Sequence, residues 1–174
     1  MGSDKKKILL WVSGCATAVI CLVMNLWLIP AIEKNTGGIR CFDMQSFGYT
    51  RETALRFLEL IGDDGRSIYL RAQLPLDFIY PVCYTSFFSL LLVRLQKRAT
   101  PLLALPILLA VSDYAENVCS IIMLRAMTVG EATAAFASAC TVAKTALMYA
   151  TILVIVVLAL VRAVKKRRAG KQAA

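Results

Sequence analysis

The sequence predicts an all-α fold, an integral membrane four-helix bundle with a partly helical extracytoplasmic first loop, and three observations carry that prediction. Hydrophobic residues fill 59% of the 174 positions and charged residues only 18%, a balance unlike that of soluble domains. The apolar residues gather into four runs, each long enough to cross a hydrocarbon core of about 30 Å. The net charge of +9 is concentrated beside those runs, where positive charge orients membrane helices. A single domain covering residues 1–174 is expected.

The first run, residues 8–29, follows Lys5, Lys6 and Lys7. Val12-Ser13-Gly14-Cys15 resembles a cleavage box, but the apolar stretch before it is too short for a signal peptide and the run continues beyond it, so it reads as span one. Residues 30–73 form the one long hydrophilic segment, with six basic and six acidic side chains. Within it Thr50 is placed to cap a helix whose Ala54, Phe57, Leu58 and Ile61 recur at helical spacing, and Gly62 is placed to stop it. Asp64 is the expected cap of the next helix, which leads into span two at about 74–93, where Pro75 and Pro81 should bend it. Span three, about 101–124, opens on Thr100-Pro101, with proline at a tolerated first-turn position. Span four, about 134–161, ends in the basic tail 162–174. Positive charge flanks both termini and the link between spans two and three, so both termini are expected on the cytoplasmic side.

The absence of histidine removes histidine bases and most catalytic zinc and haem sites. No GxxxxGK[ST], GxGxxG or GxSxG motif is present, which disfavours nucleotide and serine-hydrolase chemistry. No metal site and no cofactor are expected. The basic runs are explained by membrane topology, so no nucleic-acid partner is expected either. The six cysteines show no CxxC spacing and read as small core residues, with a disulfide from Cys41 to Cys140 or Cys119 left open.

Polar side chains inside the spans are the anomaly. A charge at the bilayer centre costs about 2.5–3.5 kcal/mol on insertion scales, so such residues normally face the bundle interior and often mark function. Span three carries Ser112, Asp113, Glu116, Asn117 and Ser120 on one helical stripe. Span two adds Gln73, Asp77, Tyr80 and Tyr84, span four Thr141, Lys144, Thr145 and Tyr149, and span one Asn25. With a rise of 1.5 Å per residue, Asp113 and Tyr149 fall near the midplane. Glu116, Lys144, Asp77 and Asn25 lie roughly 4 to 10 Å toward the loop side. Three carboxylates thus share one layer with one amine. Arg71 and Arg125, near the layer's boundary, are candidate gates or counter-ions.

Phe47-Gly48-Tyr49-Thr50, Gly65-Arg66-x-x-Tyr69, Asp77-x-x-Tyr80-Pro81-x-x-Tyr84 and Asp113-x-x-Glu116-Asn117 together resemble a group of small four-span, mostly bacterial integral membrane proteins with a D-x-x-E-N motif in the third span. The resemblance covers the first loop and spans two and three. It implies the four-span fold and assigns no catalytic residue.

The leading functional expectation is that Asp77, Tyr80, Tyr84, Asp113, Glu116, Asn117 and Lys144 bind or translocate a small solute or a proton. Two alternatives use the same residues: an enzyme acting on a lipophilic substrate with the carboxylates as acid and base, and a scaffold in which buried pairs fix packing. The bilayer is the expected partner in every case. A bundle this small is compatible with a homodimer.

Overall fold

In a computed structural model, residues 3–172 are described, with side chains over residues 4–168. Residues 1, 2, 173 and 174, the last two belonging to the expected basic tail, lie outside the described residues. Helix α1 comprises Ser3–Val23, a π turn at Met24–Leu28 and Ile29–Glu33. Helix α2 is Arg51–Leu60. Helix α3 comprises Gly62–Ile68, a π turn at Tyr69–Gln73 and Leu74–Gln96. After the 3-10 turn Pro101–Leu103 come α4, Ala104–Ala126, and α5, Glu131–Gln172. Four helices, α1, α3, α4 and α5, are long and apolar enough to span a membrane, and no strand is present among the described residues.

The two π turns have one cause. In α1 the Ile29 amide donates to the Met24 carbonyl and Pro30 follows; in α3 the Leu74 amide donates to the Tyr69 carbonyl and Pro75 follows. Proline lacks an N–H, and its ring collides with the carbonyl four residues back. Widening the preceding turn by one residue relieves the collision and lets the helix continue. The first span therefore persists past Pro30 to Glu33. The two widened turns pack against each other.

Helix α3 begins at Gly62, directly after α2, so Asp64 lies within its first turn and is not its cap. The two acids Asp63 and Asp64 still suit the positive end of the helix dipole. Thr50 does cap α2, its side chain accepting from the Thr53 amide at 3.2 Å. Gly62 ends that helix with φ of +65°.

The spanning helices follow one another around the bundle, α1 along α3, α3 along α4 and α4 along α5, whereas α1 and α5 share no extended contact. Most of the buried core lies at the loop end. There Phe42, Phe57 and Tyr69 stack with ring centroids 4.9 to 6.3 Å apart, and α2 buries Ala54, Phe57 and Leu58 on the ends of the spans. Each such side chain contributes roughly 1.5–3 kcal/mol where it leaves water.

Arginines close the carboxyl ends of two spans. Arg66 donates to the Leu124 and Arg125 carbonyls of α4 at 2.7 and 3.2 Å, and Arg162 donates to the Arg94 carbonyl of α3 at 2.5 Å. Both places match a cation to the negative end of a helix dipole. The neighbouring Gly65 lets α3 pack closely on α1: a Cβ there meets the Ile32 carbonyl oxygen of α1 at 3.1 Å and an Ile61 side-chain carbon at 2.9 Å. All six cysteines are free.

Candidate functional site

Pro81 sets the geometry of α3 at the polar layer. It lies inside the helix and offers no N–H to the carbonyl four residues back, that of Asp77. Asn117 of α4 supplies the missing donor, its Nδ2 donating to that carbonyl at 3.0 Å. One turn of α4 away, Tyr114 Oη donates to the Phe78 carbonyl at 3.0 Å. Two side chains of α4 thus satisfy the backbone around the proline and fix α3 against α4.

Lys144 of α5 joins two acids of α4. Its Nζ lies 3.2 Å from Asp113 Oδ1 and 2.5 Å from Glu116 Oε2. The other oxygen of each acid is also satisfied, Asp113 Oδ2 accepting from Tyr84 Oη at 3.0 Å and Glu116 Oε1 from Thr141 Oγ1 at 2.7 Å. Glu116 is fully enclosed. This network ties α3, α4 and α5 together, and each of its carboxylate oxygens faces a hydroxyl donor or the Lys144 ammonium. Buried charges persist only with such partners.

Asp77 is different. The residue is 3% exposed, and among the described residues its Oδ2 has no hydrogen-bond partner. It lines a cavity of about 240 Å³ with Tyr80, Asp113 and Lys144. The cavity is bounded by all four spanning helices, with Met24, Asn25 and Ile29 contributed by α1. Tyr80 packs edge-on to Tyr84, ring centroids 5.1 Å apart.

The first loop contributes to the cavity wall. Asp43, Met44 and Ser46, in and after the 3-10 turn Phe42–Met44, line it. Asp43 accepts from Tyr69 Oη at 2.9 Å and from Gln73 Nε2 at 3.4 Å, both in the π turn of α3. The loop is fastened to α5 where the Tyr49 amide donates to Ser138 Oγ at 2.8 Å. Gly48 allows that approach, since a Cβ there meets Ser138 Oγ at 2.7 Å and the backbone φ is +85°. Arg51 Nε donates to the Val129 carbonyl at 2.7 Å, a second tie. Burial, with Asp43 and Glu33 nearby, pushes the Cys41 thiol well above its ordinary range. Burial likewise raises the Tyr49 phenol.

Of the residues expected from sequence, Asp77, Tyr80, Asp113 and Lys144 face the cavity, while Tyr84, Glu116 and Asn117 stand behind it and hold it in shape. Arg71 and Arg125 are exposed, and among the described residues the ion pairs of Asp113 and Glu116 are made by Lys144 alone. Asp43 was not among the expected residues. Its contacts lie 26 and 30 residues away along the chain, beyond any helical or turn spacing.

The fold and the apolar length of its helices define a multi-pass integral membrane protein. Comparison with protein-family models, curated proteins and solved structures gives no match.

Proposed function

We propose that this multi-pass protein binds or translocates a small solute or a proton at carboxylates within the membrane. The observation that carries this reading is Asp77, a buried carboxylate with an unpartnered oxygen beside a cavity that all four spans border. Burying an acid without a partner costs several kcal/mol, which a bound partner would offset. Asp113 and Lys144 form the polar wall of the site, and Glu116, Tyr84 and Asn117 position it.

Both termini are cytoplasmic in this reading, because Lys5 to Lys7, Arg94, Lys97, Arg98 and the basic residues from Arg162 to Arg168 all lie at the end opposite the loop. The chain acts alone or as a homodimer. A hydrophobic carbodiimide tests the site. It should form a stable adduct at Asp77 in the folded protein, detected by peptide mass spectrometry and abolished by Asp77→Asn, while Glu116 stays unmodified. An unmodified Asp77 in protein that labels freely once unfolded removes the basis for the proposal.

A further inference from the structure

The cavity also has a chemical preference and a way in. Its lining holds three carboxylates, Asp43, Asp77 and Asp113, against one amine, Lys144. That amine is already shared between Asp113 and Glu116. Among the described residues, Asp43 receives side-chain hydrogen bonds from the neutral groups of Tyr69 and Gln73, and Asp77 Oδ2 receives none. An unpartnered, nine-tenths buried carboxylate beside a cavity that already contains its own lysine lacks a positive charge with hydrogen-bond donors.

The rest of the lining is apolar or aromatic. Met24, Met44 and Met148 surround the polar end with adaptable thioethers, a surface suited to varied hydrocarbon groups. Tyr80 and Tyr149 supply aromatic faces, which attract ammonium groups. The cavity is bordered by α1 and α5, the two spanning helices that share no extended contact. At that rim Asn25 and Tyr149 are exposed, Tyr149 by 69%. The outer surface of a spanning helix faces lipid, so the opening between α1 and α5 leads into the bilayer. The loop turn that carries Asp43 also lines the cavity.

Resting on the binding-site reading above, we infer that the ligand is an amphiphilic organic amine. Its ammonium group sits between Asp77 and Asp43, and its hydrocarbon part lies along the cleft between α1 and α5, through which it enters from the bilayer. Asp113 stays committed to Lys144, so the bound cation neutralises the two acids that the lysine does not reach.

The test uses full-length protein in nanodiscs of zwitterionic lipid and follows carbodiimide labelling of Asp77. N,N-dimethyloctylamine, protonated at neutral pH and unable to form an amide, should protect Asp77 at least about tenfold more effectively than octanol or octanoate at equal membrane concentration. Asp43→Asn should weaken that protection about tenfold, measured against the same variant labelled without amine. The thermal stabilisation that the amine gives the wild-type protein should vanish in Asp77→Asn, an isosteric variant whose unliganded melting shows that it is folded. Equal protection by octanol overturns the inference in favour of a neutral lipophile, and equal protection by sodium ions in favour of a metal cation. No protection by any compound overturns it outright. Failure of Asp77 to label at all strikes instead at the binding-site reading on which the inference rests.

Discussion

Asn117 Nδ2 stands 3.0 Å from the Asp77 carbonyl oxygen, in the place where the amide of residue 81 would donate were it not proline. A helix-breaking residue in one span is thus matched to an amide in the next, and the acid between them is held facing the cavity. The D-x-x-x-P spacing of α3 and the E-N pair of α4 are two halves of one device.

That relationship predicts coupling. Asn117→Leu strands a buried carbonyl and should cost about 1–3 kcal/mol. Pro81→Ala restores an N–H to the helix ladder, so in that background Asn117→Leu should cost less than half as much. A double-mutant cycle measured by thermal unfolding in detergent checks this.

Lys144→Met leaves Asp113 and Glu116 facing each other without their cation. The expected loss is about 3–5 kcal/mol, visible as a lower melting temperature. Adding Asp113→Asn and Glu116→Gln should recover most of it. A triple variant no more stable than Lys144→Met contradicts the assignment of Glu116 as a positioning residue.

Gly48→Ala introduces a methyl group against Ser138 Oγ at a positive φ, with an expected cost of about 1–3 kcal/mol. The loop should lift from α5, and alkylation of Cys41, which it buries, should accelerate. Unchanged Cys41 protection would show that the loop is held elsewhere.

Cys41 gives the pH dependence. Burial raises its thiol above the ordinary range, near 8.5 in the unfolded chain, so the folded state favours the protonated form. The corresponding stability is present in full below about pH 8.5 and declines as the pH rises and the unfolded thiol ionises. Unfolding scans from pH 7 to 10 should show this alkaline loss, and Cys41→Ala should reduce it.

Much of the fold was legible in the sequence because membrane spans are written in local composition. Apolar length and flanking charge mark all four spanning helices, and Thr50 and Gly62 mark the ends of α2. The extension of α1 past Pro30 was not legible, since the π turn that admits the proline depends on packing between two helices. The grouping of Asp77, Asp113 and Lys144 followed from depth alone, a consequence of the fixed rise of a helix. Depth does not tell which acids are already satisfied: Thr141 and Lys144 close off Glu116, whereas Asp77 is left open. Nor does it reach Asp43, which the first loop brings in from outside the spans.

The central claim is that the cavity beside Asp77 is a site meant to be filled. An experimental density map of the protein purified from its own membrane tests this most directly. Non-protein density within hydrogen-bonding distance of Asp77 Oδ2, bounded by Asp43 and Tyr80, is the predicted result. A collapsed cavity with the Asp77 carboxylate bonded to a neighbouring protein group contradicts it.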